Sequence, residues 1–238
     1  MDLLDIIFPK YCINCRKIGD FLCSKCFSFL SFDVDKICAV CNFPSFDGFT
    51  HPKCKNKYTI DGVFSGISYK GVAKKMIIKF KYDPYLTGIK TVLSDLLYEG
   101  IIQKEEFHKV LPRFNRGLDS SNAILVPIPL YHARERKRVY NHAHILAQEL
   151  SGKLNLSVIK VLKRIRNTKT QVDLGKEERK KNLKDAFEID LKFASQIKGR
   201  QIFLVDDIFT TGSTLLEAGK VLKKNGAESV WGLTLARG

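Results

Sequence analysis

Gln201-Ile-Phe-Leu-Val-Asp-Asp-Ile-Phe-Thr-Thr-Gly-Ser-Thr214 is the stretch on which the reading of the chain turns. Ile202 to Val205 is a short apolar run of mostly β-branched or aromatic residues, as a buried parallel strand requires. Two carboxylates, Asp206 and Asp207, follow at its C-terminal end, and then Thr210, Thr211, Gly212, Ser213 and Thr214. A helical pattern runs on to about Lys224, with Leu215, Ala218, Val221 and Leu222 on one face and Asn225-Gly226 as its stop. Strand, hydroxyl-rich loop with one glycine, and helix N-terminus together make an anion site. Backbone N–H groups point outward, Gly212 permits close approach, and the helix dipole favours a phosphate.

The paired acids narrow the ligand. A phosphate cradle beside two carboxylates suits a sugar phosphate, the acids accepting hydrogen bonds from vicinal hydroxyls. The loop is not a Walker loop, because the glycine spacing and the Gly-Lys pair are missing. The plainer alternative is that Asp206 and Asp207 only end a strand and cap a helix; the acid pair together with Thr-Thr-Gly-Ser-Thr favours the site.

This stretch resembles the phosphoribosyl-pyrophosphate (PRPP) motif of type I phosphoribosyltransferases. With the tail from Gly226 to Arg237 it is similar to the ComF branch of that superfamily. The resemblance implies that Asp206 and Asp207 contact the ribose 2′- and 3′-hydroxyls and that Thr211 to Thr214 hold the 5′-phosphate.

Working outward, 238 residues allow one full domain plus a small one, enough to bury a sizeable core. A formal net charge of +15 and a pI near 9.5 point to an acidic partner: nucleic acid, an anionic surface or a polyphosphate. No apolar run is long enough to span a bilayer, so no membrane insertion is expected. Met1 to Pro9 carries acids where a signal peptide carries positive charge; it reads as a short helix or packing anchor, and the expected location is the cytoplasm.

All seven cysteines fall within the first 54 residues, marking residues 1–57 as a separate module ahead of a domain over 58–238. Cys12-x2-Cys15, Cys23-x2-Cys26 and Cys38-x2-Cys41 are three knuckles of one spacing, followed by His51-x2-Cys54. Each pair lets a tight turn present two ligands, and two pairs complete a tetrahedral zinc site. In a reducing compartment such a cluster points to metal rather than disulfides. Sequential pairing, Cys12, Cys15, Cys23 and Cys26, then Cys38, Cys41, His51 and Cys54, is preferred; a cross-braced pairing stays open. One or two structural zinc ions are expected, since four protein ligands leave no open position. This front end resembles the double zinc ribbon of ComF-type chains, whose last pair is commonly Cys-x2-Cys; here Lys57 stands at the final position and His51 is the proposed substitute ligand.

Gly62 to Tyr69 reads as a strand, Val72 to Phe80 as an amphipathic helix, and Leu86 to Ile102 as another. Lys74, Lys75, Lys79 and Lys81 form a solvated face, or Tyr69, Lys79-Phe-Lys81 and Tyr82 line a nucleic-acid groove. Leu111 to Asn122 reads as a surface loop. Ala123 to Leu130 is a second apolar strand, leading through Tyr131 to Arg138 into a helix from about Asn141 to Leu150. Ligands of open α/β sheets sit outside the carboxyl ends of strands, so Arg134, Arg136, Lys137 and Arg138 are placed to meet a pyrophosphate. Here too the chain resembles the ComF pattern of Val-Pro-Val-Pro-Leu followed by Arg-Gly-Phe-Asn-Gln-Ala, with Val139 and His142 standing for the Gly and Gln. Arg164, Thr168, Gln171, Arg179, Asn182, Ala186 and Phe187 fall on a further ComF pattern, whose counterpart in phosphoribosyltransferases closes over PRPP. Composition alone makes that region a polar loop, and a groove wall for single-stranded nucleic acid is the alternative.

The expected fold is therefore a type I phosphoribosyltransferase-like α/β domain, a mainly parallel sheet flanked by helices, behind a small zinc-ribbon module. The resemblance implies magnesium-assisted PRPP binding and a role with single-stranded DNA in natural transformation, with other competence proteins such as a DNA translocase as partners. A working phosphoribosyltransferase with an unassigned acceptor is the alternative, and the sequence identifies no general base for one.

Overall fold

The computed structural model describes residues 9–83, 88–111, 122–167 and 182–238. Five parallel strands form the central sheet in the order β1-β7-β6-β2-β3: β1 Gly62–Ser68, β2 Ala123–Pro127, β3 Ser157–Val158, β6 Gln201–Phe209 and β7 Ser229–Arg237. Leu162–Arg164 (β4) and Phe187–Ile189 (β5) pair antiparallel as a separate two-stranded ribbon. Among the described residues after the first 57, the α-helices are α1 Gly71–Tyr82, α2 Ile89–Ile102, α3 Glu105–Val110, α4 His132–Arg138, α5 His142–Leu154 and α6 Ser213–Lys224; a single helical turn, Ser24–Phe27, lies in the front end.

Strand β6 lies at the centre because its side chains satisfy both faces. Ile202 to Val205 are all fully buried, Phe203 and Val205 entering one core cluster and Ile202 and Leu204 the other, the alternation a pleated strand imposes. Leu93, Leu97, Leu146 and Leu150 of α2 and α5 join the first cluster, and Leu215, Ala218 and Leu222 of α6 the second. Helices therefore cover both faces, as an all-parallel sheet demands. At Gly100 on α2, a Cβ would stand 2.2 Å from the Gly66 carbonyl oxygen, so a glycine there lets α2 lie directly on β1.

The path from β2 through α5 moves outward to β3, whereas the path from β6 through α6 moves the opposite way to β7. The carboxyl ends of β2 and β6, adjacent and in register from Ala123↔Gln201 to Pro127↔Val205, are thus the topological switch point, where open sheets bind ligands.

Residues 9–57 pack against this body along two seams. Cys12, Cys23 and Cys26 are buried in the cluster that holds Phe64, Met76 and Phe80, while Ile37 and Ala39 share the other with Val63, Phe209 and Leu215. Lys75 donates to Asn14 Oδ1 at 2.9 Å, Lys55 pairs with Asp61 at 3.0 Å, and Lys36 pairs with Glu106.

Three readings change. Strand β6 does not stop at Val205 but continues to Phe209, because β7 extends beside it and pairs Ile208 with Ala236 and Phe209 with Arg237; the acids sit inside the strand. The arginine-rich stretch, read only as the approach to the next helix, is itself a helix, α4. The helix after β2 runs from His142 to Leu154, capped by Asn141 and ended by left-handed Asn155. The readings of Met1 to Phe8, of 112–121 and of 168–181, including Thr168, Gln171 and Arg179, lie outside the described residues.

Candidate functional site

The acid pair opens the crevice at the end of β6. Asp206 Oδ1 accepts from the Asp207 backbone N–H at 2.9 Å, which fixes the first carboxylate against its own strand. Burial, then the charge of Asp207, pushes the Asp206 carboxyl up to about 7, against the pull of the Asp207 amide, Lys81 and Arg164. Asp207 is held by Lys81, whose Nζ lies 2.8 Å from Oδ2. The two side chains are each 16% exposed, so this pair is shielded from much of the solvent.

Lys81 is the residue that sequence reasoning did not assign. Met76, Ile77 and Phe80 are buried, and Lys81 stands four residues after Ile77, on the edge of that buried stripe, whereas Lys74, Lys75 and Lys79 face outward. Its helical phase was the available signal. His142 supports the same helix end: it is 2% exposed, and its Nε2 is 2.8 Å from the Phe80 carbonyl oxygen, which it meets as a donor. Burial holds this imidazole down at about 4.

Beyond Asp207 comes the Thr210 to Thr214 loop, which the sequence reading makes the candidate anion site. Gly212 has φ +76 and occupies the N-cap of α6 with no side-chain cap, so the first amides of α6 are left to other acceptors. Thr211 Oγ1 and Ser213 Oγ are 3.0 Å apart. Asp206 and Thr210 to Thr214 together line one small depression.

The basic wall comes from α4 and β4. Asn141 Nδ2 donates to the Ile128 carbonyl at 2.9 Å while its Oδ1 caps α5, tying the loop after β2 to the next helix. Arg138 lies over the Tyr82 ring, 5.2 Å from its centroid, and reaches the Tyr82 hydroxyl at 3.3 Å. Arg164, on β4, lies over Phe187 at 5.5 Å. Burial, then the charges of Arg134 and Arg138, lowers the Arg164 guanidinium to about 10, with Asp206 opposing. Arg134 is lowered by burial and by Arg138. Arg134, Arg138 and Arg164 are thus near enough to act on one another's charge, a basic group that suits an anion. Val139, at φ +68, supplies the left-handed turn between α4 and α5.

The eight candidate metal ligands fall into two groups. Cys12, Cys15, Cys23 and Cys26 form one, and Cys38, Cys41, His51 and Cys54 the other, each with its ligand atoms within 4.8 Å of one another. Around a tetrahedral zinc with bonds of about 2.3 Å, sulfurs lie about 3.8 Å apart, so each group closes round one ion with modest contraction. The grouping is sequential, not cross-braced. The Asn14 amide donates to Cys26 Sγ at 3.3 Å and the His51 backbone N–H to Cys38 Sγ at 3.4 Å, the outer contacts that orient thiolate ligands. No helix among the described residues is long and apolar enough to cross a membrane.

Comparison with known proteins matches two parts of the chain. Residues 3–56 match the double zinc ribbon domain, and residues 140–238 match the phosphoribosyl transferase domain. The chain is 36% identical over 165 residues to Competence protein F of Haemophilus influenzae, covering 68% of this chain and 67% of that protein. It is 38% identical over 107 residues to DNA utilization protein YhgH of Escherichia coli K12, about half of either chain (44% and 45%). Competence protein ComFC of Bacillus subtilis aligns over 233 residues at 29% identity, 96% of this chain and 84% of that protein. A parallel sheet with an acid pair and anion loop at its switch point, two four-ligand clusters in front of it, and these likenesses along the chain place it in the ComF family of competence proteins.

Proposed function

We propose that the switch-point crevice binds PRPP, or a closely related phosphoribosyl ligand, with magnesium, and that the protein handles single-stranded DNA in the cytoplasm during natural transformation. In this reading residues 1–57 are the ribbon module and 58–238 the phosphoribosyl-binding domain. Asp206 and Asp207 accept from the ribose hydroxyls. Thr210, Thr211, Gly212, Ser213 and Thr214 receive the 5′-phosphate, and Arg134 and Arg138 the pyrophosphate. The observation that carries it is the single depression lined by Asp206 and by Thr210 to Thr214 at the start of α6, with Arg134, Arg138 and Arg164 as its basic neighbours. A ligand with both hydroxyl donors and separated phosphates suits all three.

Asp206 and Asp207 offer oxygen donors that suit a hard cation. Magnesium arriving with the pyrophosphate would supply charge neutralisation there. The cysteine clusters, with their soft ligands, suit zinc in a structural role.

The DNA role rests on the net charge of +15, on aromatic residues exposed on the ribbon such as Phe43 and Phe46, and on the relatives' names. A DNA translocase is the partner class that such a role calls for. The test is fluorescence anisotropy with a labelled single-stranded oligonucleotide at several salt concentrations, with and without Mg-PRPP. Submicromolar binding that persists near physiological salt supports the role; binding confined to low salt removes it.

A second reading, an active transferase, is favoured by the intact acid pair and loop. The C1′–O bond would break with its electrons leaving on pyrophosphate, stabilised by the arginines, while an acceptor's lone pair forms the new bond. Pyrophosphate release on screening acceptors tests it.

A further inference from the structure

The second metal cluster and the phosphate loop touch. Ala39 sits inside the Cys38–Cys41 knuckle and is fully buried, in the same cluster as Phe209 and Leu215, which bracket the loop. A Cβ on Gly212 would stand 2.7 Å from the Ala39 carbonyl oxygen, so knuckle backbone and loop backbone are in direct contact. The residue after the knuckle, Asn42, reaches back with its Nδ2 at 3.5 Å from the Thr211 carbonyl oxygen. Asn42 takes a left-handed φ of +66, and its Oδ1 is buried with no hydrogen-bond partner among the described residues. Both features cost free energy. They are tolerated where the turn delivers the amide to the loop.

We propose that the Cys38, Cys41, His51 and Cys54 centre is a wall of the phosphate subsite, with Asn42 as its positioning residue, so that metal at this centre and phosphate on the loop strengthen each other's binding. The knuckle's turn, closed by the Asn42 N–H on the Cys38 carbonyl at 2.9 Å, is braced when its two thiolates share an ion, and that turn holds the Ala39 carbonyl and the Asn42 amide against Gly212 and Thr211. Loss of the ion releases the loop, and the amides at the start of α6 no longer converge. Because binding equilibria are linked, phosphate on the loop must favour metal retention by the same factor. The first cluster makes no such contact with the loop among the described residues: Cys12, Cys23 and Cys26 pack in the cluster of Phe64 and Phe80 instead.

The inference rests on the reading of Thr211 to Thr214 as the 5′-phosphate site, and the probes separate the two. Ribose 5-phosphate reports the loop, and inorganic pyrophosphate reports the arginine wall. Calorimetry on the full-length, zinc-loaded protein compares wild type with Asn42→Gly, which keeps the left-handed turn and removes the amide. The expected result is ribose 5-phosphate affinity about tenfold weaker with pyrophosphate affinity unchanged. A merely destabilised protein would lose both or neither. In parallel, zinc released from wild type to a chromophoric chelator is followed with each probe. Ribose 5-phosphate should protect one of the two ions, and pyrophosphate neither. Should Asn42→Gly lose zinc or fail to fold, this wild-type measurement decides alone. Equal ribose 5-phosphate affinity in variant and wild type, or zinc release indifferent to it, overturns the coupling. A wild type that binds no ribose 5-phosphate overturns the phosphate-loop reading itself, and the coupling with it.

Discussion

Lys81 Nζ lies 2.8 Å from Asp207 Oδ2, so the last turn of α1 reaches across the crevice and neutralises the second acid of the pair. Two adjacent carboxylates at the end of one strand repel each other, and the inner one is buried. Burial and the charge of Asp207 raise the proton affinity of Asp206, and the lysine opposes that rise.

On the proposed reading, that asymmetry makes ligand binding pH-dependent near neutrality. Ribose hydroxyls donate, so the binding form is the ionised pair. With the Asp206 carboxyl pushed up to about 7, PRPP affinity should rise about tenfold from pH 6 to pH 8. Calorimetry across that range checks it; a flat profile would remove Asp206 from the hydroxyl contact. The double variant Asp206→Asn, Asp207→Asn should show no PRPP binding at any pH, and unchanged affinity would sink the site assignment.

Removing the cation should move that profile. In Lys81→Met the favourable charge is gone, the repulsion between the acids is unscreened, and Asp206 holds its proton more tightly. The pH of half-maximal PRPP affinity should shift upward by about one unit, with maximal affinity recovered at high pH. A shift downward, or none, would mean that Lys81 acts elsewhere.

His142 makes a second pH dependence, in stability. Its folded pKa, about 4, lies below the ordinary histidine value, so between the two the unfolded chain takes up a proton that the folded one refuses. The groups facing it pull both ways: Asp207 and the Phe80 carbonyl favour the proton, Arg138 and Lys81 oppose it. Stability is present above about pH 6.5 and is lost as pH falls toward 4. From pH 7.5 to 5 the loss from this residue is about 2 kcal/mol. His142→Gln keeps an amide donor for Phe80 and does not titrate, so urea unfolding should show a loss smaller by that amount.

The backbone at Val139 is strained, and glycine, the residue of the ComF pattern at this place, is the remedy. A β-branched residue at φ +68 costs about 1–2 kcal/mol, and glycine gives back about 0.5–1 kcal/mol of unfolded-state entropy. Val139 is 70% exposed, so little packing is lost. Val139→Gly should raise stability by about 0.5–1 kcal/mol, read as a higher urea midpoint at unchanged slope.

How far the sequence could be read follows from the range of the forces involved. Apolar runs, the acid pair with its loop, and the cysteine spacing are local patterns, and they gave the parallel sheet, the switch-point crevice and the sequential ligand groups. What was not legible depends on contacts between distant segments. Strand β6 runs past its acids only because β7 is there to pair with Ile208 and Phe209. Lys81 meets Asp207 across more than a hundred residues of chain, and one helical phase among four lysines was the sole hint. The Ala39 contact with Gly212 joins two motifs that each looked complete alone.

The same long-range packing sets what metal loss should do. Cys12, Cys23 and Cys26 are buried with Phe64, Met76 and Phe80, so the first cluster is part of the main core. Trp231, the single tryptophan, reads that core: its ring lies 4.9 Å from Phe49 and 5.9 Å from Phe64. Cys12→Ser or Cys23→Ser should lower the zinc content from two ions to one and, because a structural site contributes folding free energy directly, lower the stability of the whole chain by several kcal/mol. Helical circular dichroism and Trp231 fluorescence should then unfold together at a reduced temperature. Two separated transitions would show a ribbon that melts on its own, and a full zinc count in either variant would refute the grouping of the first four cysteines.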